Sequence, residues 1–136
     1  YVYDQMRDYT KERIAAGRPL IEHNNVQVLL GEAALSLDTA RAYMYQVAWE
    51  NDQRELAGAP VNLYWSLGFY TYVKKVCWRL CEIASDIYGG ISGSLDMPVE
   101  KFLRRVYSFM PTGGGTWSIQ MMKCSREYDD SRFEEG

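Results

Sequence analysis

The sequence predicts an all-α fold, an up-and-down antiparallel helical bundle with two long central helices. Three observations carry this expectation. Apolar residues recur at spacings of three and four through two stretches of about 28 to 30 residues. Prolines fall between those stretches, never inside them. No period-two alternation of useful length and no internal repeat competes with the helical period.

The first helix is predicted over Tyr1 to Ala16, with Val2, Met6, Tyr9 and Ile14 near one stripe. Gly17 suits the position after a helix end, and Pro19 prevents continuation. The second runs from about Glu22 to about Asn51 on Val26, Leu29, Leu30, Ala33, Leu37, Ala40, Met44, Val47 and Ala48. At 1.5 Å per residue it would be ~42 Å long, well beyond an ordinary helix. Gln53 to Ala59 is polar and reads as a loop, and Pro60 suits the first position of a third helix reaching Tyr88. Leu63, Leu67, Tyr70, Val73, Cys77, Leu80, Cys81, Ala84 and Ile87 form its stripe. Trp65, Tyr72, Val76 and Trp78 widen it, so this helix is expected to be buried on more than one side. Gly89-Gly90 ends it, and Ile91 to Met97 reads as a loop. A fourth helix is expected over Pro98 to Met110, with Glu100 in its first turn. Pro111-Thr112-Gly113-Gly114-Gly115 breaks the pattern, and a fifth helix begins near Thr116. The domain is expected over residues 1–128, with 129–136 an acidic, frayed tail.

A chain of 136 residues suits one domain with a continuous core. Its net charge of -3, with Lys and Arg scattered, argues against a nucleic-acid surface. No apolar run is long enough for a membrane span. Tyr1 already sits inside a helical pattern, so the chain is expected to be part of a longer polypeptide. Cys77, Cys81 and Cys124 are odd in number and read as free thiols of a reducing, cytoplasmic setting. Cys77 and Cys81 share a helix face, but four zinc ligands are not assembled with the single His23, so no metal site is expected. His23, with no nucleophile near it in sequence, reads as structural. The eleven tyrosines and four tryptophans lie mostly at helical spacing and read as core or subunit interface.

Five landmarks stand in order: Glu12-Arg13-Ile14-Ala15-Ala16-Gly17-Arg18-Pro19-Leu20; Ala40-Arg41 with Ala48-Trp49-Glu50; Asp86-Ile87-Tyr88-Gly89-Gly90; Met97-Pro98-Val99-Glu100-Lys101 with Arg104-Arg105; and Gly115-Thr116. Their order and spacing resemble the C-terminal helical domain of the acyl-CoA dehydrogenases across nearly the whole chain. The family patterns are Arg-x-x-Phe-Gly, Ala-Ala-Trp, Gln-Ile-x-Gly-Gly, Pro-Val-Glu-Arg/Lys and Glu-Gly-Thr. The resemblance implies an FAD-dependent oxidoreductase that desaturates an acyl-CoA thioester. It also implies a domain that builds a homo-oligomer, dimer or tetramer, and forms one wall of the flavin site. The isolated domain is expected to be inactive.

Carried over residue by residue, the resemblance assigns cofactor contacts to Arg13, Asn24, Asp86, Gly90, Thr116 and Ser118. Arg13 matches the arginine that reaches the flavin pyrophosphate, and a guanidinium can fork onto phosphate oxygens. A surface salt bridge is the alternative use. Ala16 replaces the family phenylalanine, and Asn24 shortens a usual glutamine. Asp86 replaces another glutamine with a group that only accepts hydrogen bonds and repels phosphate. Gly89 and Gly90 are kept, although a plain helix end would also explain them. Gly114 occupies the position of the family's glutamate base and has no proton-accepting group, so no catalytic residue is assigned. The three glycines could cradle an anion at a helix N-terminus or serve as a linker. Three readings follow: a dehydrogenase whose base lies upstream, a non-catalytic partner subunit of a heteromeric dehydrogenase, or a flavin-dependent monooxygenase on the same fold.

Overall fold

The computed structural model describes the backbone of residues 1–112 and 115–133, with side chains as far as residue 128. The fold is all-α, as expected. The helices are α1 (Val2–Glu12), α2 (Asn24–Leu56), α3 (Leu63–Tyr88), α4 (Pro98–Phe109) and α5 (Trp117–Phe133). Between α1 and α2 lie the two-residue strands β1 (Ile14–Ala15) and β2 (Arg18–Pro19) and a 3₁₀ turn at Leu20–Glu22. A second 3₁₀ segment, Gly89–Gly93, follows α3 where the sequence suggests a plain loop. The backbone of 129–133 continues α5, where the charged composition suggests a tail. The chain divides into two compact units, Tyr1–Asp38 with Val76–Tyr107, and Thr39–Lys75 with Ser108–Gly136.

The core of the first unit is apolar. Met6 of α1, Val26, Leu30 and Ala33 of α2, Ile83, Ala84, Ile87 and Tyr88 of α3 and Val99 of α4 are buried together. The three α2 residues follow the three-four spacing that binds a helix to a neighbour. The Arg79 guanidinium of α3 forks onto Glu32 of α2, at 2.6 Å from Nε and 2.9 Å from Nη2. Ring contact between Tyr9 and Tyr88, centroids 4.6 Å apart, ties α1 to the end of α3.

The first helix is shorter than its period suggests. It stops at Glu12 because Arg13 is already extended, at φ -74° and ψ 121°. Ile14 pairs with Pro19 and Ala15 with Arg18, leaving Ala16-Gly17 as a two-residue turn. Both turn residues have positive φ, 49° and 81°, as in the type I′ turn that suits a tight hairpin. Gly17 is therefore a hairpin residue and not a helix end. Ala16 is the one non-glycine residue at positive φ among the described residues.

In the second unit, α2 runs past the expected loop to Leu56. Gly58, at φ 69°, then closes the helix. The Ala59 N–H donates to Arg54 C=O at 2.8 Å and the Gly58 N–H to Glu55 C=O at 3.0 Å, the paired bonds of a Schellman end. Pro60 does not open the next helix. That role falls to Asn62, whose side-chain oxygen accepts from the Trp65 N–H at 3.1 Å, three residues on. The Asn62 N–H donates in turn to Asn51 Oδ1 at 3.0 Å, and Asn51 Nδ2 donates to Ser66 Oγ at 3.1 Å. This small network joins the end of α2 to the start of α3 in antiparallel fashion. Tyr43 of α2 lies among Trp65, Phe69 and Tyr72 of α3, centroids 5.7–6.0 Å away. Gly68 makes room for it: a Cβ there would lie 2.5 Å from the Tyr43 hydroxyl oxygen.

Two outcomes are expected. Ala16→Asn, which tolerates positive φ better, should raise the melting temperature, while Gly17→Ala should lower stability by about 1 kcal/mol. Thermal or urea unfolding of both variants checks this, and equal effects of the two would contradict the turn. Gly68→Ala should destabilise by about 1 kcal/mol or more despite alanine's better helix propensity, because Tyr43 is held by three rings. Adding Tyr43→Phe, which removes the clashing oxygen, should recover most of that loss in a double-mutant cycle.

Candidate functional site

The residues assigned from the sequence fall in both units, four in the first and two in the second. In the first unit, Arg13 stands where α1 gives way to the hairpin. It is exposed, and its guanidinium has no hydrogen bond or ion pair among the described residues. A fixed local frame supports it. His23 Nε2 donates to Ala15 C=O at 3.0 Å, and Arg18 Nη2 lies 3.5 Å from His23 Nδ1. In the neutral tautomer with Nε2 protonated, His23 locks the hairpin back onto the entry to α2. Its structural reading from the sequence is supported by this geometry. Asn24 is the first residue of α2 and is exposed.

Asp86 is exposed in the last turn of α3 and has no partner among the described residues. That turn contains no basic residue. A carboxylate there faces the negative end of the helix dipole and would repel a phosphate. Gly89, at φ 63°, turns the chain from α3 into the 3₁₀ segment. A Cβ added at Gly90 would meet no atom within 4 Å, so its surface is open to close approach.

In the second unit, Thr116 directly precedes α5 and its carbonyl accepts from the Gln120 N–H at 3.1 Å. Ser118 is in the first turn, exposed like Thr116. The first-turn N–H groups of a helix have no intrahelical partner, and no acidic side chain occupies this turn to take them. Gly113 and Gly114, where the resemblance places the family's base, lie outside the described residues. Gly115 has φ 103°, open only to glycine at low cost.

Sequence reasoning missed the polar side chains behind this segment. Lys74 is 1% exposed, the largest fully buried side chain of the described chain. Its Nζ donates to the carbonyls of Met110 at 3.0 Å and Thr112 at 2.8 Å. The ammonium also lies over the Tyr70 ring, 4.3 Å from its centroid, and 5.5 Å from that of Phe109. Tyr70 donates its hydroxyl to the same Thr112 carbonyl at 3.0 Å. Gln120, fully buried, donates to Gly115 C=O at 3.1 Å and accepts from Thr71 Oγ1 at 3.2 Å. The Trp117 indole N–H is buried without a partner among the described residues, and Lys75 Nζ lies 3.9 Å from that ring's centroid. One signal could have exposed Lys74. It fills a slot of the apolar stripe, at the heptad spacing of Leu67, Tyr70, Cys77 and Cys81.

The cysteines are not built for chemistry. Burial pushes the Cys81 thiol up to about 11, with Cys77 and Glu82 nearby adding to the shift. Burial raises Cys77 and Cys124 as well. Such thiols stay protonated and weakly nucleophilic. An open groove of about 460 Å³ between α3, the second 3₁₀ segment and α4 is lined by none of the assigned residues. Among the described residues no helix is long and apolar enough to cross a membrane.

Comparison with known proteins places this arrangement. Residues 1–128 match the family profile described as acyl-CoA dehydrogenase, C-terminal domain. Cyclohexane-1-carbonyl-CoA dehydrogenase of Geobacter metallireducens is 28% identical over 75% of this chain and 26% of its own. The structure titled "FAD complex of PigA" matches with TM-score 0.83 at 17% identity, over 94% of this chain and 32% of that one. The prolyl acyl carrier protein oxidase AnaB matches with TM-score 0.82 at 22% identity, over 92% and 32% respectively. The two structural likenesses speak for the fold. The chain spans about a quarter of the length of the Geobacter relative.

Proposed function

The chain belongs to the acyl-CoA dehydrogenase family as its C-terminal domain, and from that premise we propose that it serves an FAD-dependent oxidoreductase acting on an acyl-CoA thioester. FAD, when bound, would supply the acceptor for the substrate's β-hydride. Within this chain the support is a set of groups suited to an anionic dinucleotide. Arg13 offers a guanidinium unpaired among the described residues, on a hairpin held by His23. It would fork onto the pyrophosphate. Thr116 and Ser118 offer hydroxyls at the N-terminus of α5, the positive end of that helix. Gly90 leaves an open surface where a Cβ would otherwise stand.

The unpaired Arg13 is the observation that carries this reading. Asp86 opposes it. Its exposed carboxylate fits the neighbourhood of a phosphate poorly, so it would weaken binding or turn toward hydroxyl donors such as a ribose. Asn24 keeps an amide that can donate and accept. Gly114 takes no proton, so the base of a desaturation would come from outside this chain. Gly114 favours a second reading, flavin chemistry that uses no base at this position, such as a monooxygenation. Asp86 and Gly114 together also fit a non-catalytic partner subunit of a heteromeric dehydrogenase.

Assembly belongs to the same proposal. In the second unit Tyr45, Trp49 and Leu56 of α2 share one face within about 40° of arc and are 63%, 57% and 83% exposed. In the first unit Val28 and Leu35, seven apart, are exposed likewise. Large apolar side chains grouped on a helix face suit burial in a subunit interface. A homo-oligomer, dimer or tetramer, or a heteromer with a related dehydrogenase would cover them.

The native polypeptide, purified with whatever accompanies it, should show a flavin absorbance spectrum at about one FAD per chain. Arg13→Gln should weaken FAD binding by roughly tenfold or more, the worth of a charge-assisted bond, and Asp86→Gln should tighten it a few-fold. A colourless preparation would remove the flavin role, and binding indifferent to Arg13 would remove Arg13 from the site. Half occupancy with a related chain alongside would favour the partner-subunit reading.

A further inference from the structure

The segment between α4 and α5 is tied down on both sides of residues 113 and 114. On the α4 side, Lys74 donates to Met110 and Thr112 C=O, and Tyr70 donates to Thr112 C=O. On the α5 side, Gln120 donates to Gly115 C=O and is itself held by Thr71. Three of these four anchors, Tyr70, Thr71 and Lys74, sit on little more than one turn of α3. They therefore hold both ends of the segment from a single rigid support.

Stability alone does not explain the choice of a lysine. Taking an ammonium out of water is costly, and its partners among the described residues are neutral carbonyls and π faces rather than a carboxylate. A methionine of similar length would fill the same volume at less desolvation cost. The Thr112 carbonyl would keep its bond from Tyr70; Thr112 is an exposed residue and Met110 a half-buried one. What the methionine could not do is fix two carbonyls two residues apart at once. That double bond sets where the chain leaves α4 and, with Gln120, where it enters α5.

We propose that Lys74 is a positioning residue: with Tyr70, Thr71 and Gln120 it fixes Met110, Thr112 and Gly115 on either side of residues 113 and 114, so that Thr116 and Ser118 are presented to the cofactor at a set place. This rests on the flavin reading above. It adds that the presentation is built from α3, by a buried cation that touches no cofactor itself. The anchored residues on either side of 113 and 114 are then preorganised, and their ordering cost is met on folding and not on binding.

The test compares the native polypeptide with Lys74→Met, Tyr70→Phe and, as a surface control, Lys11→Met. FAD affinity of the stripped protein is titrated, its melting temperature taken without cofactor, and amide hydrogen exchange followed peptide by peptide. Lys74→Met is expected to weaken FAD binding at least tenfold while the melting temperature stays within about 3 °C of the parent or rises. Exchange should accelerate in peptides covering 109–118 only. Tyr70→Phe, which removes one of the two bonds to Thr112, should weaken binding about two- to five-fold. A parent that binds FAD while Lys74→Met binds it equally well would overturn the positioning role and leave the flavin reading standing. A loss of affinity matched by a drop of many degrees in melting temperature and by exchange throughout the chain would make Lys74 a structural residue, also against the proposal. A parent that takes no FAD would sink the flavin reading and the positioning role together.

Discussion

A helix begins with four main-chain N–H groups and ends with four carbonyls that its own turns cannot pair. Where such an end is shielded from water, a specific partner must be found for it. Most of the turns in this chain are decided at such points. The end of α2 is closed by the Gly58 and Ala59 N–H groups. The start of α3 is closed by Asn62, which Asn51 holds in place. The carbonyls beyond α4 are taken by Lys74 and Tyr70, and that of Gly115, just before α5, by Gln120. The apolar seams bring the helices together, but these polar ties decide where each helix stops, and so where Arg13, Asp86 and Thr116 stand.

That division explains what the sequence made legible. Apolar spacing reports which residues face a core, and Val26, Leu30, Ala33, Ile87 and Val99 are buried as their period implies. Spacing says much less about where a helix ends. The pattern of α1 continues formally to Ile14, yet the helix stops at Glu12, since Ala16-Gly17 suits a tight hairpin and Ala16 takes a positive φ against its own preference. Pro60 fits a first helical position by rule, but a buried asparagine two residues later outcompetes it by donating and accepting at once. Composition marked Gln53 as loop, and a glycine five residues on lets α2 continue to Leu56. In each case the deciding group is a polar side chain or a φ value, and neither has a period.

The candidate site divides along the same line. Arg13, Gly90, Thr116 and Ser118 are proposed by motif, from their resemblance to the family pattern. Lys74 and Gln120 belong to no motif, and their role appears only once the carbonyls they hold are known. Two positions, Asp86 and Gly114, depart from what the resemblance implies. On that reading one offers a carboxylate in place of an amide, and the other offers no proton acceptor. Under the proposed reading, such a chain would separate holding a flavin from moving a proton. Fold alone does not choose the reaction that results.

The measurement that bears most directly on this account is an experimental structure of the native polypeptide with its cofactor bound. The account predicts the Arg13 guanidinium and the Thr116 hydroxyl within about 3 Å of cofactor oxygens, the ordinary reach of a hydrogen bond. It also predicts Lys74 still buried beneath the connector on the carbonyls of Met110 and Thr112. A flavin held without Arg13 and Thr116, or a connector that has left Lys74 to accommodate it, would contradict the account.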